Sequence, residues 1–150
     1  MADNDIDRFD RLTGAVFARL YESFPVGVDL NSMEFSRVIS PSEEHDELFC
    51  QIFNQDEFFN STVFWLRDAG FITFSNTTLD NSMAYQCRLT AKALQVLKCT
   101  PERVGGETLG GRLGDAVKQG TMVVLETVAN EALNRGVGLL LSTAAAALPR

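Results

Sequence analysis

Hydrophobic residues at the start of the chain recur three or four positions apart, which places them on one face of a helix. They are Ile6, Phe9, Leu12, Val16, Phe17, Leu20, Tyr21 and Phe24. Asn4 or Asp5 can cap this helix, and Pro25 ends it because proline pushes the preceding residue out of the helical region. A short extended segment at 26–30 and one or two helical turns at 31–39 are predicted to follow.

The stretch 58–74, FFNSTVFWLRDAGFITF, changes from helical to extended periodicity. Its inward helical positions are four and three residues apart: Phe59, Val63 and Leu66. Gly70 can end the helix in the left-handed conformation, and residues 71–75 are typical of a short strand. Upstream, residues 40–53 are predicted to form a separate helix, and Asn54 is predicted to cap the helix that ends before Gly70.

The next segment predicts a hairpin followed by a helix. Residues 76–82 form a polar turn, and residues 83–89 alternate between apolar and polar as a returning strand does. Thr90 is placed to cap a helix of residues 91–98. Together these elements predict a mainly α chain with a small β-hairpin, which is an α+β fold.

The C-terminal third differs in composition, and three regions are predicted: a first domain at 1–103, a glycine-rich linker at 104–111 and a helical segment at 112–150. Residues 112–135 are predicted to be helical with a dent at Gly120, and a polar stripe runs through Asp115, Lys118, Gln119, Glu126 and Asn130. The remaining faces are apolar, so the region needs a partner surface. Self-association is the first expectation, and packing back on the first domain is the alternative. The proposed self-association residues are Leu113, Val117, Val124, Val128, Leu133 and Leu140.

Membrane engagement by this helix is a weaker alternative. The uncharged run 136–149 extends about 21 Å as a helix, short of the roughly 30 Å hydrocarbon core of a bilayer. The acidic N-terminus also lacks the apolar core of a signal peptide. We therefore expect a cytoplasmic protein that does not use a membrane.

The order of helices, the glycine and the hairpin resembles the winged helix superfamily, over about residues 5–100. Two stretches carry the resemblance: FFNSTVFWLRDAGFI at 58–72 and RLTAKALQVL at 88–97. The combination looks like small uncharacterised bacterial winged-helix proteins. The resemblance implies a helix-turn-helix with a β-hairpin wing, a fold that serves DNA-binding regulators and protein adaptors alike. It carries no catalytic residue to transfer to this chain.

Charge disfavours nucleic acid as the partner. The net charge is −7, and residues 1–60 hold 13 acidic but only four basic residues. A phosphate-binding surface needs a basic face, and no dense one is evident. The possible DNA contacts near the predicted helix and wing are Asn60, Ser61, Arg67 and Arg88.

The outward side of the helix before Gly70 favours a protein partner instead. Its candidate partner-binding residues are Phe58, Phe64, Trp65 and Asp68. Aromatic residues are enriched where protein interfaces are tightest, whereas Asp68 would repel phosphate. We therefore expect a non-catalytic interaction or regulatory module that forms a homo-oligomer and binds a protein. A dimeric DNA-binding transcriptional regulator is the alternative.

Signals for enzyme chemistry are weak, and no cofactor or metal is predicted. The glycines at 106–111 are followed by Arg112 and Leu113, where a phosphate loop would have lysine and a hydroxyl residue. His45 and Cys50 are spaced poorly for a catalytic dyad on one helix. The three cysteines and His45 have no zinc-binding spacing, so reduced thiols are expected.

Overall fold

The structure is a computed structural model. Its described backbone covers residues 5–39, 48–98 and 108–147, and its described side chains cover residues 5–39, 55–98 and 108–138. This part of the chain is mostly helical with a small antiparallel sheet of four strands, which confirms the predicted α+β class. The predicted start of a helix at Ser40 lies outside the described residues.

The elements follow one another in the order helix, strand, helices, three strands and helices. They are α1 (Asp5–Ser23), β1 (Val28–Asn31), a 3-10 turn (Ser32–Phe35), α2 (Ser36–Ile39), α3 (Leu48–Asp68), β2 (Ile72–Thr73), β3 (Asn76–Thr77), β4 (Met83–Leu89), α4 (Ala91–Leu97), α5 (Leu109–Gln119) and α6 (Met122–Ala147).

Helix α1 lies at the centre of the molecule. Its middle stretch, Arg11–Ala18, is buried on every side, although the sequence pattern predicted a single apolar face. It packs against α6, α5, α2 and α3. Glycine permits the closest approach, because a Cβ atom at Gly14 would lie 2.8 Å from Cδ1 of Leu125 in α6. The outermost positions of the predicted stripe, Ile6 and Phe24, are exposed instead.

Buried Arg11 joins α1 to two other helices. Its guanidinium group donates to the Glu126 carboxylate of α6 at 2.6 Å and to the Val38 carbonyl of α2 at 3.1 Å. A buried charge is stable only when it is paired and hydrogen-bonded. The pair therefore orients α6 on α1. The sequence pattern placed Glu126 on a polar stripe but did not indicate that its carboxylate pairs with Arg11 of α1.

Helix α3 is one continuous helix of Leu48–Asp68, so the predicted break at Asn54 is wrong. Asn54 is an acceptable helix cap, but nothing next to it in the sequence, such as proline or glycine, interrupts the backbone hydrogen bonds. The predicted end of the helix is confirmed. Gly70 adopts a left-handed conformation with φ of 84°, and the Phe71 amide donates to the Leu66 carbonyl at 2.8 Å.

The sheet is organised around β4. The strand order is β1-β4-β2, and β3 also pairs with β4. The predicted hairpin is confirmed by the pairing of Ile72 with Leu89 and of Asn76 with Tyr85. The predicted strand at 71–75 is interrupted between β2 and β3, while the Ser75 amide still donates to the Tyr85 carbonyl at 2.9 Å.

Thr90 joins the sheet to α4, as its predicted capping role requires. Its hydroxyl accepts from the Ala93 amide at 3.2 Å and donates to the Gly70 carbonyl at 2.6 Å. The side chain thus caps α4 and binds the turn after α3. The two stretches that carry the family resemblance therefore meet at this hydroxyl group.

The C-terminal region forms two helices rather than one. Thr108 caps α5, so Gly110 and Gly111 are helical and the predicted linker is wrong over these residues. The predicted dent at Gly120 is a complete break, with φ of 69°. Both α5 and α6 pack against α1 and complete one core with it. Within the described residues, no helix is long and apolar enough to cross a membrane.

This packing corrects part of the predicted self-association surface. Leu113, Val128 and Leu133 lie in the core of their own chain. The cause is tertiary packing, because α5 and α6 cover a long apolar surface of α1. The sequence pattern did not indicate which helices cover that surface. Val117 and Val124 are 44% and 41% exposed and remain accessible. The side chain of Leu140 lies outside the described residues.

Candidate functional site

The outward side of α3 carries a partly exposed tryptophan beside a shallow concavity. Inward side chains fix the rotation of the helix, since Phe59, Val63 and Leu66 are fully buried. Trp65 consequently points outward and is 47% exposed. The concavity has a volume of about 240 Å³, and we call it the Trp65 hollow. Its lining residues are Phe9, Phe58, Ser61, Thr62 and Trp65.

Aromatic contacts hold the walls of the Trp65 hollow in place. The Phe9 ring meets the Trp65 ring edge to face, with centroids 5.2 Å apart. The Arg8 guanidinium lies 4.5 Å from the centre of the Phe58 ring, and Arg8 also pairs with Asp5 at 3.2 Å. Such edge-to-face and cation–π contacts stabilise rings in defined orientations. The hollow is therefore a shaped apolar site with charged groups at one side.

Phe64 belongs to a different cluster from Trp65. Its ring meets the Phe74 ring edge to face at 5.3 Å, and the Arg67 guanidinium lies 4.5 Å from its centre. Arg67 also pairs with Asp68 at 3.2 Å. Phe58 and Phe64 are both half-buried, so Trp65 presents the most exposed aromatic ring of the candidate partner surface.

The residues predicted to contact DNA do not form one basic surface. Ser61 is exposed and Asn60 is half-buried on α3, but Arg67 is already engaged with Asp68 and two aromatic rings. Arg88 is exposed on β4, where its guanidinium lies close to Gly27, before β1. A groove-binding helix needs free cations near its base-contacting side chains. Arg67, the one cation among these residues on α3, is instead held by its contacts with Asp68 and the Phe64 and Phe74 rings.

Lys92, another cation near the end of α3, is also used internally. Its ammonium group donates to the Ala69 carbonyl at 2.6 Å and lies 4.2 Å from the centre of the Phe71 ring. Burial lowers its pKa. A cation at a helix C-terminus stabilises the carbonyl groups left free there. Lys92 therefore stabilises the turn at Gly70.

The tip of the hairpin carries a strongly stabilised carboxylate. Asp80 accepts hydrogen bonds from the hydroxyl groups of Ser82 and Thr78, each at 2.7 Å, and from the Ser82 amide at 3.1 Å. These bonds, with the Ser82 hydroxyl first, lower the pKa of Asp80 to about 2. Leu79 beside it is fully exposed. A hairpin tip that stays negatively charged at neutral pH opposes contact with phosphate.

Candidate metal-binding and nucleophilic groups are few in the described part of the chain. No group of three histidine, cysteine or carboxylate side chains comes together there. Cys87 is buried in β4, and burial raises the pKa of its thiol to about 12, so the thiol stays protonated at neutral pH. The side chains of His45 and Cys50 lie outside the described residues.

Sequence reasoning missed the contribution of α1 to the Trp65 hollow. It placed Phe9 in the inward stripe of the first helix and gave no role to Arg8. Phe9 and Arg8 contact residues of α3 that are far from them in the sequence. Local periodicity does not predict contacts of this kind. The one available signal was weak: Phe9 lies near the start of α1, where a helix has fewer neighbours to bury it.

No protein-family model, curated protein or solved structure matches this chain.

Proposed function

We propose that this chain is a non-catalytic winged-helix module that binds a protein partner through the Trp65 hollow. The element order supports the fold assignment, because three helical segments precede a hairpin whose last strand, β4, lies between β1 and β2. The observation that carries the functional proposal is the 47% exposure of Trp65 beside a preformed apolar concavity. Exposed tryptophan at such a site is typical of the centre of a protein interface.

The hollow and its surroundings define the partner chemistry. An apolar side chain of the partner fills the space between Phe58 and Trp65, because the lining is almost entirely apolar. The hollow belongs to an acidic part of the chain, because residues 1–60 hold 13 acidic and four basic residues, and Glu57 is exposed next to Phe58 in the sequence. Complementary charge favours encounter with basic surfaces. The partner segment therefore carries an apolar anchor flanked by lysine or arginine.

Capture from a native lysate with matched variants tests this proposal. Trp65→Ala removes the aromatic wall, and we expect it to reduce partner recovery at least tenfold, as for a hot-spot residue worth about 2 kcal/mol or more. Leu79→Ala is the control, because Leu79 is apolar and more exposed than Trp65 but lies at the hairpin tip. It should leave recovery unchanged.

Nucleic acid recovered in the same experiment tests the DNA-binding alternative. Direct DNA binding weakens steeply with salt, because bound phosphates release counterions. We expect no salt-dependent retention of genomic fragments by the purified chain. Salt-dependent retention that survives Trp65→Ala and is lost on Arg88→Ala would contradict the protein-partner proposal and favour the regulator.

We also propose that the chain self-associates through valines around the break between α5 and α6. Val117, Val123 and Val124 are 44%, 73% and 41% exposed and occur close together at this break. Contiguous exposed apolar side chains favour association. Light scattering of the full chain should give a dimer or larger assembly.

A charge introduced into this valine surface should dissociate the assembly. We expect Val124→Glu to shift the full chain towards the monomer, because burying an unpaired carboxylate in an interface is unfavourable. Val26→Glu is the control, since Val26 is exposed in the segment before β1. A wild-type chain that stays monomeric at high concentration would rule out this part of the proposal.

A further inference from the structure

A second concavity lies between α1 and α5, apart from the Trp65 hollow. Its volume is about 480 Å³, within the range typical of small-molecule sites. Ala15 and Ala18 of α1 face Gly114 of α5 across it, and Phe35 and Val38 close it on the side of the 3-10 turn and α2. We call it the α1–α5 cleft.

Packing explains one glycine in this cleft but not another. A Cβ atom at Gly110 would lie 2.7 Å from the Tyr21 ring, so only glycine fits there. A Cβ atom at Gly114 would have no neighbour within 4 Å among the described residues. Glycine is the least favourable residue after proline inside a helix. Gly114 therefore weakens α5 without a packing reason, and its effect is to keep the cleft open.

The walls and rim of the cleft define the chemistry of a ligand. Tyr21 and Phe35 supply aromatic rings. Arg19 on the rim pairs with Glu34 at 3.2 Å, so these two charges compensate each other. Glu22 and Asp115 are exposed rim carboxylates without an ion pair among the described residues, and Lys118 is the remaining rim cation. The rim thus has an excess of negative charge above an apolar, aromatic floor.

We propose that the α1–α5 cleft binds a small organic cation with an apolar aromatic body. The body lies over Gly114 against the rings of Tyr21 and Phe35, and the positive charge is held by Glu22 and Asp115. Aromatic faces attract cations, and the exposed rim carboxylates add Coulomb attraction at the mouth of the cleft. This activity is independent of the partner surface at Trp65.

Calorimetric titration of the full chain with two ions of nearly equal size and opposite charge tests the proposal. The probes are tetraphenylphosphonium and, in sodium buffer, tetraphenylborate. We expect the cation to bind at least ten times more tightly than the anion. The double variant Glu22→Gln with Asp115→Asn should abolish this preference. Equal binding of the two ions, or binding of neither, would overturn the proposal.

Variants at two open glycines locate the binding. Gly114→Leu fills the cleft and should weaken cation binding at least tenfold, whereas Gly138→Leu, on exposed α6, should have no effect. If Gly114→Leu fails to fold, Gly114→Ala replaces it and should give a smaller loss. Cation binding that is unchanged in every folded Gly114 variant would place the ion elsewhere and overturn the assignment.

Discussion

At the scale of single residues, Thr13 is the clearest unfavourable feature of α1. Its side chain is fully buried, and its hydroxyl has no hydrogen-bond partner among the described residues. A buried hydroxyl that has lost water without gaining a partner destabilises the folded state by about 1–3 kcal/mol. The residue therefore opposes the stability that the surrounding apolar packing supplies.

Thr13→Val should stabilise the protein. Valine has nearly the same shape but no hydroxyl, so we expect the free energy of unfolding to rise by about 1 kcal/mol and Tm by about 3 °C. Thr127→Val is the control, because Thr127 is exposed on α6 and its hydroxyl donates to the Val123 carbonyl at 2.8 Å. It should change Tm little. Loss of stability in Thr13→Val would mean that the hydroxyl has a partner.

Asp80 gives a residue-scale prediction about pH. Its pKa of about 2 in the folded chain lies below the ordinary value of 3.8. The stabilising effect of the charged carboxylate is therefore complete above pH 3.8 and is lost as the pH falls through about 2. Carbon-detected NMR titration of the Asp80 carboxyl should give a midpoint near 2. In Ser82→Ala, which lacks the largest contribution, the midpoint should move towards 3.8.

At the scale of single residues, the sequence predicted those features that depend on local spacing, such as which side chains of α3 face inward. The spacing of Phe59, Val63 and Leu66 placed Trp65 on the outward side of its helix, and Trp65 is half-exposed there. Nothing in the sequence pattern placed Phe9 beside it. That contact depends on how α1 crosses α3, which is decided by packing of the whole core.

At the scale of elements, helix ends were predicted better than helix interiors. Gly70 ends α3 through its left-handed backbone, and Thr90 begins α4 through a capping hydrogen bond. Both signals can be recognised from a few neighbouring residues in the sequence. Asn54 can cap a helix but does not force a helix to begin there, so α3 continues through it without a break. Gly120 was predicted as a dent, but its left-handed backbone separates α5 from α6 completely.

Two glycines of α6 make an element-scale prediction about close packing. A Cβ atom at Gly136 would lie 2.3 Å from the Phe71 ring, which is itself buried against Phe17. We expect Gly136→Ala to lower the free energy of unfolding by about 1–3 kcal/mol, because a packed ring must move. Chemical denaturation measures the change.

The matched control lies two residues further along α6. A Cβ atom at Gly138 would have no described neighbour within 4 Å, so Gly138→Ala should be neutral or stabilise by up to about 1 kcal/mol through helix propensity. Equal effects of the two substitutions would show that backbone propensity, rather than contact with Phe71, controls this part of α6.

At the scale of the whole molecule, the central position of α1 was not predictable from its own sequence. The stripe of apolar residues predicted one buried face, and the C-terminal segment was expected first to contact another chain, with packing back on the first domain as the alternative that the structure shows. Gly14, Ala15 and Ala18 were the available signal, because small side chains permit close approach of helices. That signal does not say which helix approaches, since α6 lies at the opposite end of the sequence.

Removal of the C-terminal helices should therefore destabilise the whole chain. A chain of residues 1–104 lacks α5 and α6, which uncovers the surface of α1 around Gly14 and removes the Glu126 carboxylate that pairs with Arg11. We expect loss of near-UV circular dichroism and of cooperative thermal unfolding, while helical content partly remains. Cooperative melting of this shorter chain with native near-UV signal would contradict the shared core.

The Arg11–Glu126 contact has a consequence for synthesis of the protein. The ribosome completes α1 first, and the carboxylate that accepts from its buried guanidinium emerges 115 residues later. Until then the nascent chain carries α1 with its long apolar surface uncovered by α6 and with Arg11 lacking its contact to Glu126. Such a segment suits temporary capture by a holdase chaperone, and release into the native state must wait for α6.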